Sequence, residues 1–208
     1  MKKQKLIPSL LMMGLIMAIS PSTFSVSASS GYGGGSGTQS DPYLISTPEH
    51  LNQLQLDVNI NGIDTTGKYY RLTKDIDLSG YDNDSDETNG NFTPIGSSSS
   101  VSFKGTFDGN GFAISNLEII LPEQDNVGLF GYAGSATIQN LGLEDVLVEG
   151  NQYVGGLVGR QSGGGAIKGS YATGKVNGSG NSVGGLVGYQ SVGTISDSYA
   201  TGSVSGSG

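Results

Sequence analysis

Carboxylates are the residues of this chain best suited to chemistry. Asp75 and Asp77 stand two apart in Asp75-Ile76-Asp77-Leu78. On a strand that spacing puts both side chains on one face, as a pair for acid–base work or a cation would require. The same alternation also describes a polar outer face on either side of an inward Ile76. Asp108 opens Asp108-Gly109-Asn110-Gly111. There it would place an acid at a groove rim, although Asp-Gly and Asn-Gly are also the pairs tight turns prefer, because they accept φ > 0. Asp82, Asp84 and Asp86 alternate with Asn83 and Ser85, and oxygen ligands at alternate positions suit Ca2+. A calcium loop of that register would want Gly and Glu where Glu87 and Thr93 stand. No other cofactor is expected. His50 is the single histidine, so neither a histidine cluster for zinc nor a Ser-His-Asp site follows. Tyr171 and Tyr199 would form a short outward aromatic ladder, either a sugar platform or simple cross-coil packing. Arg160 and Lys168 read as isolated surface charges.

Composition narrows the field further. With no Cys and no Trp, the chain has no disulfide scaffold, no Cys-based zinc site and no thiol nucleophile. A net charge of −8 with ten basic residues argues against nucleic acid or an anionic membrane surface as partner. Lys2, Lys3 and Lys5 precede an apolar run from Leu6 to Ile19, and Val26-Ser27-Ala28 follows. That is the layout of an export signal over residues 1–28, with cleavage after Ala28 and no transmembrane helix in the mature chain. Removing those three lysines takes the formal charge from −8 to −11. The expected location is outside the cell, secreted or on its surface.

The elements that must position these residues are set by repetition. Val154-Gly155-Gly156-Leu157-Val158-Gly159 recurs as Val183-Gly184-Gly185-Leu186-Val187-Gly188, and the segment Ser170–Val176 recurs as Ser198–Val204. A degenerate copy starts at Val127-Gly128-Leu129-Phe130-Gly131. The period is about 28 residues. Each unit holds three short runs of β-branched or aromatic residues between Gly, Ser and Asn, while glycine every few residues disfavours helix. This predicts an all-β β-solenoid in which equivalent side chains stack about 4.8 Å apart. The core columns would be Leu129/Leu157/Leu186, Phe130/Val158/Val187, Ile138/Ile167/Ile195 and Val148/Val176/Val204. A bend is expected at Gly169-Ser170 and Asp197-Ser198, with Ala200, Gly202 and Val204 inward and Tyr199, Thr201 and Ser203 outward.

Upstream, residues 29–40 read as a flexible Gly/Ser linker, and residues 41–126 as an N-terminal cap with irregular coils. Thr47-Pro48-Glu49 is a helix start, as N-cap, Pro at N1 and an acid in the first turn. The helix would run to about Val58, burying Leu51, Leu54 and Val58 and leaving Gln53, Gln55 and Asp57 wet. It would cover the open end of the stack. Strands are expected at Asp41–Ser46, Tyr69–Leu78, Phe92–Ile95, Val101–Phe107 and Phe112–Ile120. Residues 127–208 form the repeat coils, and the break-off after Val204 suggests truncation within a longer polypeptide.

Gly128-Leu129-Phe130-Gly131, Gly156-Leu157-Val158-Gly159 and Gly185-Leu186-Val187-Gly188, with the following Ile167–Val176 and Ile195–Val204, resemble the GLUG-motif family. Gly37-Thr38, Asp41–Ile45, Asp75–Leu78, Pro94-Ile95-Gly96 and Phe103–Gly111 resemble the segment that precedes such repeats. The resemblance implies a right-handed parallel β-helix with a short N-terminal capping helix. It implies membership among large bacterial surface proteins: adhesin-like, S-layer-associated, or the non-catalytic region of immunoglobulin A peptidases. The motif carries no catalytic residue to transfer. The leading expectation is a non-enzymatic stalk or adhesin whose partners are cell-wall or host glycans or proteins. The alternatives are a polysaccharide lyase or glycoside hydrolase using Asp75, Asp77 or Asp108, and a spacer within a larger surface enzyme such as a peptidase.

Overall fold

The computed structural model describes residues 31–83 and 90–207. The expected leader, residues 1–28, lies outside that range, as do Asp84 and Asp86.

The N-terminal coils begin with β1 (Tyr43–Ile45) and α1 (Pro48–Asn59), followed by β2 (Tyr69–Leu72), β3 (Ile76–Asp77), β4 (Thr106–Asp108), β5 (Ala113–Ser115) and β6 (Glu118–Ile120). The next coil holds β7 (Phe130–Ala133), β8 (Thr137–Gln139) and β9 (Gly142–Gly150). Two near-identical coils follow: β10 (Val154–Gly155), β11 (Val158–Gln161), β12 (Gly165–Lys168) and β13 (Tyr171–Gly178), then β14 (Val183–Gly184), β15 (Val187–Gln190), β16 (Gly193–Ser196) and β17 (Tyr199–Ser205). Every ladder between these strands is parallel. One sheet runs β1-β2-β4-β8-β12-β16, a second β17-β13-β9-β5-β3, and a third β15-β11-β7. Such an arrangement, one coil above the next, is a β-solenoid.

The predicted columns are the observed ones. Phe130 pairs with Val158 and Val158 with Val187, Ile138 with Ile167 and Ile167 with Ile195, Val148 with Val176 and Val176 with Val204. Leu129 and Leu157 are fully buried. The bend falls where expected, between β12 and β13, with Asn140, Gly169 and Asp197 all at positive φ. Ser170, 1% exposed, holds that corner by donating Oγ–H to Lys168 O and accepting from Leu141 N. The period slips once inside β9, where Asp145 (φ 54°) is an extra residue opposite β13. Each repeat coil has four strands rather than three, because the Gly-Gly corner separates β10 from β11.

The helix starts at Thr47, whose side chain accepts from His50 N at 3.3 Å, and Leu51, Leu54 and Val58 join the buried cluster. Gln55, expected to be wet, is 5% exposed. It stands four residues after Leu51 and three before Val58, within the buried face of the helix. Asn59 pins the helix end by donating to Pro94 O at 2.9 Å and accepting from Gly96 N at 2.8 Å.

Three expectations for this half are corrected. Residues 31–40 are no loose linker. Gly33 N donates to Leu44 O and Leu44 N to Gly34 O, and Tyr32 is buried, its ring 4.7 Å from that of Tyr43. The glycines serve geometry: Gly35 has φ +86°, and a Cβ there would lie 1.8 Å from Pro42 O. Residues 92–95 form no strand, since Pro94 has no N–H to give a ladder, although Ile95 bridges to Phe130. The expected strand over Tyr69–Leu78 is split by a corner before Ile76.

The core changes character along the stack. Tyr32, Tyr43, Tyr70, Phe103, Phe130 and Phe107 form a continuous chain of ring contacts, each pair 4.7–5.7 Å apart. The repeat coils are filled by Leu157, Val158, Ile167 and Val176.

Candidate functional site

The candidate carboxylates are not brought together. Asp75 belongs to the corner before β3 and Asp77 to β3, which pairs with β5, whereas Asp108 belongs to β4 in the sheet that begins with β1. Each is consumed by backbone or amide partners. Asp75 accepts from Ala113 N at 2.9 Å. Asp77 accepts from Asn116 Nδ2 and from Ser79 N, both at 2.8 Å, and these bonds, the Asn116 amide foremost, hold its carboxyl below the usual range. Asp108 accepts from Asn110 N and Asn140 Nδ2 and pairs with Arg71 at 3.4 Å. Asn110 (φ 55°) and Gly111 (φ 83°) make its motif a turn. These acids tie one coil to the next, which is the work of a coil corner.

Of the calcium candidates only Asp82 is described, and among the described residues no group of three or more His, Cys, Asp or Glu side chains is placed for a metal. His50 Nδ1 lies 3.2 Å from Ser46 Oγ at the helix start.

Two aromatic features occupy the outer surface. Register β13–β17 sets Tyr199 on Tyr171, with centroids 5.3 Å apart and planes 7° from parallel. Gly142 makes room below, since a Cβ there would lie 2.6 Å from Tyr171 Oη. The Tyr171 hydroxyl donates to Glu144 Oε1 at 2.6 Å, and that bond pushes its pKa up to about 12. Tyr199 is 55% exposed.

The second feature corrects the reading of Arg160 as an isolated charge. Register on β7-β11-β15 aligns Tyr132, Arg160 and Tyr189. The Arg160 guanidinium carbon lies 5.6 Å from the Tyr132 ring centroid, 5.3 Å from that of Tyr189 and 4.9 Å from that of Tyr153. The signal was present in the sequence: these are the residues directly after Gly131, Gly159 and Gly188. The next position holds a second unforeseen ladder. Gln161 is fully buried and accepts from Gln190 Nε2 at 3.1 Å.

The corner that aims these side chains explains the glycine motif. A Cβ at Gly155 would lie 2.2 Å from Val158 O, and one at Gly159 2.6 Å from Val127 N. Backbone meets backbone there, so only glycine fits. Residues 150–177 and 179–205 each match the GLUG motif. This chain carries GLUG repeats. A Gly-Leu-Val-Gly corner in a GLUG coil thus brings β10 against β11 and leaves the following residue on the outer surface.

Among relatives, the chain is 41% identical over 155 residues to halomucin of Haloquadratum walsbyi, covering 74% of this chain and 2% of halomucin. It is 34% identical over 139 residues to a protein of Evansella cellulosilytica described as a Gly-rich membrane protein, covering 65% of this chain and 15% of that one. It therefore spans a small part of either relative. A solved structure from Bacteroides ovatus, described as an immunoglobulin A1 protease, shares the fold with a TM-score of 0.57 at 20% identity, over 83% of this chain and 60% of that one.

Proposed function

We propose that the protein is a non-enzymatic module of the cell exterior, a rigid β-solenoid that acts as a stalk or adhesive surface. The observation that carries this reading is the parallel stacking of equivalent residues across the coils, from Phe130–Val158–Val187 to Val148–Val176–Val204. Repetition of that kind gives a stiff body with a periodic outer face. The occupation of Asp75, Asp77 and Asp108 in coil-to-coil hydrogen bonds supports a role without acid–base catalysis. The names of the relatives, halomucin and a Gly-rich membrane protein, support a place on the surface, reached by export through the residue 1–28 signal with cleavage after Ala28. The partners of such a surface are cell-wall or host glycans or proteins, the module works as part of a longer polypeptide, and no cofactor is needed.

Incubation of the folded protein with neutral and acidic polysaccharides, with Ca2+ or chelator, tests the reading. No new reducing ends or unsaturated products are expected. Product release that vanishes in Asp75→Ala, Asp77→Ala or Asp108→Ala would make the protein a carbohydrate-cleaving enzyme instead. Antibody labelling of intact producing cells checks the location.

A further inference from the structure

Tyr153 occupies a backbone position that suits it poorly. Its φ is +57°, and the equivalent corner residues of the neighbouring coils are Asn126 (φ 60°) and Ser182 (φ 64°). Asparagine tolerates the left-handed region, whereas a bulky side chain there is a genuine outlier. The bulky member of that left-handed column carries the greatest strain, which points to use of its side chain. The Tyr153 ring lies against both Arg160, at 4.9 Å, and Tyr189, at 5.3 Å. Tyr189 is the exposed member of the group, at 36%, and Tyr132 anchors the other side, its hydroxyl accepting from Ser162 Oγ at 2.9 Å.

Arg160 is just as unusual. In a chain of net charge −8, no carboxylate among the described residues pairs with it; the single ion pair there is Arg71–Asp108. Its Nε is buried without a hydrogen-bond partner. Asp125, beside the corner residue Asn126, is taken up by Asn151 Nδ2 and Gln152 N. A guanidinium held by aromatic faces is a preorganised fork, and no carboxylate of the described residues engages this one.

We propose that Arg160, Tyr153 and Tyr189 form a binding site for a carboxylate-bearing saccharide, a hexuronate unit of an acidic glycan. Tyrosine faces accept the apolar face of a sugar ring, and the guanidinium supplies the charge-assisted bonds that a uronate carboxylate needs. The display reading places such a site on an outward face, and this assignment rests on that reading.

The test is calorimetric titration of the purified protein with tri-galacturonate, with galactotriose as the uncharged sugar and tri-glutamate as the carboxylate without a sugar. Binding of tri-galacturonate alone is expected, weakening as salt rises. Arg160→Gln should lower affinity by about tenfold or more. Tyr153→Asn should lower it by about fivefold while leaving the unfolding midpoint within about 3 °C, because asparagine suits the corner. Tyr189→Ala, at the exposed rim, repeats the affinity test without touching the corner. Absence of binding by folded protein, equal binding of galactotriose or tri-glutamate, or undiminished binding in Arg160→Gln would overturn the site. In that event surface labelling without glycan cleavage would still leave the display reading standing.

Discussion

At the scale of the residue, polar side chains in this protein act between coils. Tyr171 shows it. Its hydroxyl donates a hydrogen bond to Glu144 one coil away, and ionisation would lose that bond and place two negative charges side by side, so its pKa rises to about 12 from 10.0. Between those two values the folded chain binds more protons at this site than the unfolded chain. The contribution of the bond to stability is therefore complete below pH 10 and is lost as pH rises towards 12. Ultraviolet titration of the phenols should show Tyr171 ionising late, and Glu144→Gln should move it back towards the ordinary value. Asp77 behaves in the opposite sense. Its lowered carboxyl contributes above its unfolded pKa of 3.8, and the contribution falls away as pH drops through the lower folded value. Asn116→Ala should raise that carboxyl towards 3.8, as read by NMR titration.

At the scale of the element, the Gly-Leu-Val-Gly corner is the unit on which the coil depends. Its glycines are required by backbone approach, since Gly159 has no left-handed φ yet has Val127 N in the way of any Cβ. Gly159→Ala should destabilise the protein by about 1–3 kcal/mol or more, read by urea unfolding, because the obstacle is backbone and cannot turn aside. The helix rests on simpler local chemistry. Thr47→Ala removes the acceptor for His50 N and should cost about 1 kcal/mol. Such corners were legible as glycine spacing. The reason for each glycine was not, because close approach joins residues of different coils, such as Gly159 and Val127.

At the scale of the whole molecule, each coil is held mainly by the coils that stack on it. Ile138 and Ile167 are fully buried between neighbouring coils, whereas Ile195 in the same column is 43% exposed and Val204 is 48% exposed. Ile138→Ala should cost about 2–5 kcal/mol by large-to-small truncation in a packed core.

The sequence by itself determined the period, the four core columns, the bend at Gly169-Ser170 and the capped start of the helix. Those features are written in residue types at regular spacing, and a column that recurs every 28 or so residues needs no contact map to be seen. Only the tertiary structure decided which sheet each acid joins, so Asp75 and Asp77 part from Asp108. Only it turned the glycines of residues 31–40 from apparent looseness into tight turns against β1. It also brought Tyr153 from a corner onto Arg160. The physical reason is common to all three: direction and distance between side chains are set by backbone torsions and strand register, which residue identity constrains but does not specify.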